Sequence, residues 1–439
     1  RLISLIAAVL FVCHPIQVNA VTYIIQRTAS LAASFYLLAI LFFLKFRIFD
    51  KTFHFLLVIV FTVLAMFTKE NTITIPFFLL LLEIMFFSND GKTSWKKRLV
   101  IFFILFLTLP IIPGTNLILD GHSLSDPNAN FKASTNMDRM HYFYTQLNVI
   151  LLYIRLLFIP VGQVFDYSND FPISQTIWDN YSYVSFIILL AIYAYSLYTY
   201  KRNRLLSLGI LWFFTGLAVE SSFISIKDVY FEHRLYFPSV GFIIFLIGMI
   251  FYKRKPKTTQ ENKRTYLFTR PFAVVTVIAL VFTVTYTGLT IRRNYIYSDS
   301  IRLWTDTVKK APNSDRAHST LATAYLNAYN EELDNKEYLD LAEKEFKIAI
   351  DLNSKNSTAH CNLGKVYYLQ RRYSKSIEES KITLKMTNST YACNNLGNAY
   401  KSLGRTNDAI AAFLKGYDFD NRSTFILLSL GDIYYETGN

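Results

Sequence analysis

The chain has 439 residues, of which 52% are hydrophobic and 16% aromatic but only 18% charged, against about 25% charged in an average soluble domain, so an ordinary single soluble domain is excluded. Its net charge of +13 is uneven: residues 1–291 hold 25 Lys and Arg against 14 Asp and Glu, while residues 292–439 hold 20 against 18. The excess base therefore sits in the apolar part, which argues against a nucleic-acid partner, since a basic binding face would load the polar part.

A hydrocarbon core of ~30 Å takes about 17 to 25 helical residues to cross. Apolar runs of roughly that length predict helices near 1–13, 30–46, 52–68, 71–87, 99–113, 181–200, 205–222, 235–252 and 271–291. These make about nine crossings. A further stretch, 141–160, carries Asn148 and Arg155 and ends at Pro160. Lys and Arg concentrate in cytoplasmic loops, here around Lys45 to Lys51, Lys92 to Arg98, Lys201 to Arg204 and Lys253 to Arg270. Parity of crossings between these loops makes 141–160 an interfacial or re-entrant helix. The same parity puts residues 292–439 on the non-cytoplasmic side, periplasmic in a bacterium or lumenal in a eukaryotic endoplasmic reticulum.

The C-terminal part is repetitive. Leu363, Gly364 and Tyr367, then Leu396, Gly397 and Tyr400, then Leu430, Gly431 and Tyr434 repeat at 33 and 34 residues, after a degenerate copy at Leu321 and Tyr325. Those are tetratricopeptide (TPR) spacings. The small residue after Leu is expected to let helix A of each hairpin approach helix B, and the Tyr to fill the seam between hairpins. Ala342, Phe346 and Ala349, then Ser376 and Ser380, then Ala409 and Phe413 mark the B helices. The first copy is longer than the others, and the polar segment 330–335 reads as a lengthened loop. Trp304 and Pro312 read as half of an earlier unit. The expected class is therefore all-α: a polytopic membrane domain (1–291) followed by a TPR α-solenoid (292–439) of three to four repeats. Both ends are expected to be cut, the last repeat included.

Cys13, Cys361 and Cys393 form no disulfide framework and no metal spacing, and neither metal nor cofactor is expected. The sequons at Asn180, Asn356, Asn388 and Asn421 are near chance in a chain so rich in Asn, Ser and Thr. Chemistry is sought instead among ionisable groups at membrane depth, which are costly unless paired or hydrated. These are His14 with Arg27; the corner Lys69 and Glu70, read as an ion pair; Arg155 with Asp166; and Glu232, His233 and Arg234 following Glu220. Basic groups beside carboxylates suit a lipid phosphate, with Arg giving bidentate contacts and Lys a point charge. Each also has a structural reading: Lys69 and Glu70 as a helix cap, Arg27 and Arg234 snorkelling, Arg155 satisfying carbonyls. His54 and Glu83 read as structural.

The stretches HPIQVNAVTYIIQRTASLAASFYLLA (His14 to Ala39), TKENTITIPFFLLLLE (Thr68 to Glu83), YTQLNVILLYIRLLFIPVGQVFDYSNDFP (Tyr144 to Pro172) and FEHRLYFPSVGF (Phe231 to Phe242), followed by TPRs, resemble the transmembrane-and-TPR-containing O-mannosyltransferases and their bacterial relatives, of the GT-C glycosyltransferase class. The resemblance implies an enzyme that moves a sugar from a polyprenyl or dolichyl phosphate carrier to a protein Ser or Thr hydroxyl, with the TPR groove presenting the acceptor. It implies a general base in an external loop ahead of His14, upstream of Arg1, and about eleven crossings in the whole protein. By position it makes Arg27, Lys69, Glu70 and Arg234 carrier-phosphate candidates, with Arg155 and Asp166 beside them and His14, Glu232 and His233 nearby. Two other readings stand: a lipid-linked polysaccharide polymerase or ligase, and a non-catalytic membrane-anchored TPR scaffold.

Overall fold

The computed structural model describes residues 2–88, 94–120, 137–226, 228–251, 270–331 and 335–438. Lys92, Lys132, Lys227, the basic run 253–269 and part of the insertion, 332–334, lie outside them. The described residues are helical and irregular, with no strand. Two compact units emerge: residues 1–165 with 172–297, and residues 298–439 joined by the short segment Asp166–Phe171.

The first unit contains α1 (Leu2–Cys13), α2 (Gln17–Thr22), α3 (Arg27–Phe49), α4 (Thr52–Thr68), α5 (Ile75–Leu82), α6 (Trp95–Phe106), α7 (Ile111–Asp120), α8 (Arg139–Phe158), α9 (Ser182–Thr199), α10 (Arg204–Leu217), α11 (Pro238–Phe251) and α12 (Arg270–Tyr297). Local chemistry sets several boundaries. Asp50 in the left-handed region (φ 50) ends α3, Pro76 opens α5, and the side chains of Ser94, Asp138 and Asn203 cap α6, α8 and α10, each satisfying an amide that the first turn leaves without a partner.

Where nine crossings are expected, four stretches among the described residues are helical, long and apolar enough to cross a membrane: Ile24–Phe49, Glu70–Phe87, Trp95–Thr115 and Asp179–Thr199. Ile3–Cys13, Thr52–Thr68, Arg204–Leu217 and Pro238–Ile250 are apolar but shorter. Two expected spans are divided or cut. The 99–113 run is broken into α6 and α7 by turn residues around Pro110, which has no amide to donate. The 205–222 run stops at Leu217, leaving Glu220 in a turn. Outward-facing Leu56, Phe67, Phe103, Ile187, Leu190, Leu280 and Val284 are all more than half exposed, large apolar side chains on several helices whose outward faces suit lipid. Inside, Phe43, Phe78, Leu79 and Trp212 form a common core, and α10 and α11 approach so closely that a Cβ on Gly209, Gly241 or Gly248 would lie within 2.7 Å of the facing backbone.

The second unit is a run of antiparallel hairpins. Following α13 (Ser300–Lys310) come α14 (Asp315–Glu331) with α15 (Lys336–Leu352), α16 (Ser357–Leu369) with α17 (Tyr373–Met386), α18 (Thr390–Ser402) with α19 (Thr406–Phe419), and α20 (Thr424–Thr437). Leu321, Leu363, Leu396 and Leu430 are buried, as are Tyr367 and Tyr400. Tyr325 and Tyr434 are only partly buried, against the same cores. The unit is TPR-like by its own spacing and packing. The extra length of the first repeat is not loop alone: α14 and α15 have 17 residues each, whereas α16 and α17 have 13 and 14. The insertion continues the helices because Glu331, Lys336 and Glu337 are good helix formers. Trp304 lies on α13, which packs on α14 and occupies the place of a preceding half-hairpin.

Candidate functional site

The 3-10 turn Glu232–Leu235, between the α10 and α11 hairpin arms, is buried over its whole length. The extended segment before it is stitched to α8. Tyr142 donates to the Glu220 carbonyl at 2.6 Å, Gln146 to the Val229 carbonyl at 2.8 Å, and the Tyr153 hydroxyl both donates to the Phe231 carbonyl at 2.8 Å and accepts its amide at 3.0 Å. That explains why 141–160 reads as unusually polar: its Tyr, Thr and Gln residues face backbone, not lipid.

Three of the sequence candidates converge here. Lys69 pairs with Glu220 at 2.7 Å; the expected pairing with Glu70 does not form, because the 3-10 turn Glu70–Thr74 leaves Glu70 exposed. Arg234 is buried and held by the carbonyls of Val229 and Asp228 at 3.0 and 2.6 Å, with its guanidinium over the Phe231 ring. His233 stacks beside Phe231 with ring centroids 5.0 Å apart. Burial, and then the charges of Lys69 and Arg234, hold the His233 imidazole well below its ordinary value, so it is neutral.

Around this turn several buried polar atoms lack a protein partner: His233 Nδ1, Glu220 Oε2, Gln146 Oε1 and both side-chain heteroatoms of Asn19. Asn19 lies on α2, which packs against the turn, and its neighbour Gln17 donates to Ser239 at 2.9 Å. Buried polar groups in native proteins are almost always satisfied, and clusters of exceptions mark places where water or a ligand belongs. Glu232 lies on the same turn but in its own network, with Gln163 at 3.2 Å and Arg293 at 3.6 Å.

The remaining candidates take the structural reading or move elsewhere. His14 donates through Nε2 to the Leu157 carbonyl of α8 at 3.0 Å and accepts the Ile16 amide on Nδ1 at 3.2 Å, so both nitrogens are engaged, one across to α8 and one in the turn after α1. Arg27 is exposed and bonds the Val21 carbonyl. Arg155 is exposed and binds the Val161 carbonyl beyond the end of α8 at 3.0 Å. Asp166 is not beside the cluster of basic groups: it belongs to the second unit, where both its oxygens take Arg316 at 2.6 Å. Glu83 is buried between Arg47 at 2.7 Å and Arg98 at 3.2 Å, on a π-helical turn. Sequence reasoning missed Asn19, Tyr142, Gln146 and Tyr153. Their one signal is polarity within otherwise apolar runs.

No family model matches the chain, and no curated protein does. Among solved structures, the chain is similar to the MamA protein, at 20% identity over 31% of this chain and 72% of that one with a TM-score of 0.28. It is also similar to the thermophilic TPR protein TTC0263 of Thermus thermophilus, at 18% identity over 39% of this chain and 94% of that one with a TM-score of 0.30. Likenesses this slight carry no argument; the TPR-like assignment stands on hairpin spacing and packing.

Proposed function

We propose that the chain is the membrane part and repeat array of a glycosyltransferase that moves a sugar from a polyprenyl or dolichyl phosphate to a protein Ser or Thr hydroxyl. The observation that supports this reading is the constellation Lys69, Arg234 and neutral His233 beside partnerless Asn19 and Glu220 Oε2. A phosphate would take a point charge from Lys69 and a directed guanidinium from Arg234, and an amide and an uncharged imidazole provide hydrogen bonds suited to a headgroup. Of the nine residues that resemblance and charge nominate, Lys69, His233 and Arg234 are retained in this role, with Asn19 added. In this proposal the nine apolar helices cross the membrane, α8 lies at its non-cytoplasmic face, and the repeats receive the acceptor polypeptide on that same side.

The test uses the full-length membrane protein, reconstituted with a polyprenyl-phosphate sugar and a Ser/Thr peptide. Lys69→Met and Arg234→Lys each raise the donor KM about ten- to a hundredfold, the equivalent of a charged hydrogen bond of about 1.5 to 3 kcal/mol. Arg27→Ala leaves it unchanged. Retained folding with no polyprenyl-phosphate binding by the wild-type protein overturns the reading.

A further inference from the structure

The loop 173–181, ahead of α9, holds three large side chains away from the first unit: Ile173 is 44% exposed, Trp178 72% and Tyr181 73%. It is fixed from beneath. The Asp179 carboxylate accepts the amides of Gln175 and Thr176 at 3.0 and 2.8 Å. The Asn180 side chain donates to the Ile173 carbonyl at 3.2 Å and to the Ser174 hydroxyl at 3.1 Å. From α8, Asn148 donates to the Asn180 carbonyl at 3.3 Å and to the Ser182 hydroxyl at 3.0 Å. Asn180 and Tyr181 both lie in the left-handed region, with φ 50 and 59, a conformation that Asn tolerates and a bulky Tyr rarely adopts. The loop's polar groups are thus bonded inward while its rings are held out.

What covers those rings follows from the helix they introduce. Asp179–Thr199 is long and apolar enough to cross a membrane, and less than a third of it is buried; Ile187 and Leu190 face outward from its middle. Its far end repeats the aromatic pattern, with Tyr195 and Tyr198 exposed, the Arg202 guanidinium 4.3 Å from the Tyr198 ring centroid and exposed Lys201 beside it. Tyr181 and Tyr198 are 17 positions apart in the chain, or about 25 Å along a helix, close to the ~30 Å of a hydrocarbon core. Trp and Tyr collect at both membrane–water interfaces because each has an apolar body and a polar edge. Aromatic residues at both ends of one apolar helix, spaced by the thickness of a bilayer, match lipid; a protein partner sets no such spacing.

We infer that the loop 173–181 is a membrane-interface anchor, with Ile173, Trp178 and Tyr181 seated where the headgroups of a phospholipid bilayer meet its acyl chains. The braced backbone presents them together, so the loop sets the depth at which α9 enters the bilayer. The inference rests on α9 crossing a membrane and on no transferase activity.

The test is depth-dependent quenching in phosphatidylcholine nanodiscs that hold the whole chain, with bromine placed on the acyl chains either near the headgroup or near the bilayer centre. The Trp178 signal is the difference between the chain and Trp178→Phe. Shallow bromine quenches it about twofold more than deep bromine, the order expected of an interfacial ring. Leu190→Trp, made in the Trp178→Phe background, puts an indole at the middle of α9 and shows the reverse order. Each variant must keep the wild-type melting temperature, and Trp178→Tyr and Ile187→Trp replace any that does not. Deep bromine quenching Trp178 as well as or better than shallow overturns the anchor. So does an unquenched Trp178 beside a quenched Leu190→Trp, which leaves the crossing intact: acrylamide then reaches Trp178 if the loop stands in water, and Ile173→Cys cross-links two chains if it faces a second copy. Loss of quenching at both positions overturns the inference together with the crossing it rests on.

Discussion

Gly241 and Gly397 both exclude a methyl group, but for different reasons in the two units. A Cβ on Gly241 would meet backbone, the Gly209 carbonyl at 2.6 Å and the Phe213 amide at 2.9 Å. On Gly397 it would meet a side chain, the Phe413 ring at 2.4 Å. Between helices whose surroundings are as apolar as their own surfaces there is little hydrophobic gain in association, so contact comes from small residues that bring backbones together and from paired polar groups. In the repeat unit the helices are amphipathic and water supplies the drive, so the small residue serves to seat a large one. The Lys69–Glu220 pair, the Arg47–Glu83–Arg98 triad and the α10–α11 glycines are the first unit's devices; Leu363, Phe346 and Phe413 are the second's.

The largest expected effect is on the first unit's charges. Lys69→Met leaves Glu220 buried without its partner and destabilises by about 3 to 5 kcal/mol, while the double change to Met at both positions recovers most of it. Thermal melting in detergent reads both. Gly241→Val costs about 3 kcal/mol by forcing α10 and α11 apart. If it costs less than Gly397→Ala, the contrast between backbone and side-chain contact fails.

Within the second unit, Gly397→Ala is expected to cost about 1 to 3 kcal/mol through the Phe413 ring. Gly364→Ala is close to neutral, within about 0.5 kcal/mol, because Ser380 replaces the Phe and leaves a nearest approach of 3.2 Å against a gain in helix propensity. Hydrogen exchange should localise the first loss to α18 and α19 and show none in α16 and α17.

A smaller effect appears with pH. Burial opposes the charge on His318, but Glu345 at 2.6 Å and the Pro312 carbonyl outweigh it and raise the imidazole's pKa. That stabilisation is complete below the unfolded value of 6.5 and is lost as pH rises through the higher folded value. Burial also opposes the charge on Glu343, and Lys347, Gln370 and Arg372 overcome it, bringing the carboxyl down from 4.5 to about 2. Its contribution is present above pH 4.5 and fades as pH falls toward 2. The repeats are therefore most protected between those limits, and His318→Gln flattens the alkaline side in a pH series of exchange rates. Smallest of all, Arg27→Ala shifts the melting point by the equivalent of no more than about 0.5 kcal/mol, since its side chain is exposed.

The repeat array was legible because amphipathic periodicity and recurrence carry their own register: Leu363, Leu396 and Leu430 must face one core if any of them does. The helices of the first unit are apolar on every side, so periodicity cannot say which face turns inward or where a helix stops, and the end of 205–222 came out too long for that reason. Glu83 was legible as structural, although its two arginine partners, 36 residues before it and 15 after, were not.

What the sequence by itself determined is the division into an apolar and an amphipathic half, the helical class and the repeat spacing, all of which follow from local composition and period. Only the tertiary structure decided that Lys69 pairs with Glu220 and not Glu70, that Asp166 belongs with Arg316 in the second unit, and that the buried turn carrying His233 and Arg234 is packed by α2, which bears Asn19, and meets Tyr142 and Tyr153 of α8. Pairings across 150 residues of chain are chosen by which buried charge finds a partner at hydrogen-bond distance, and no local pattern records that choice.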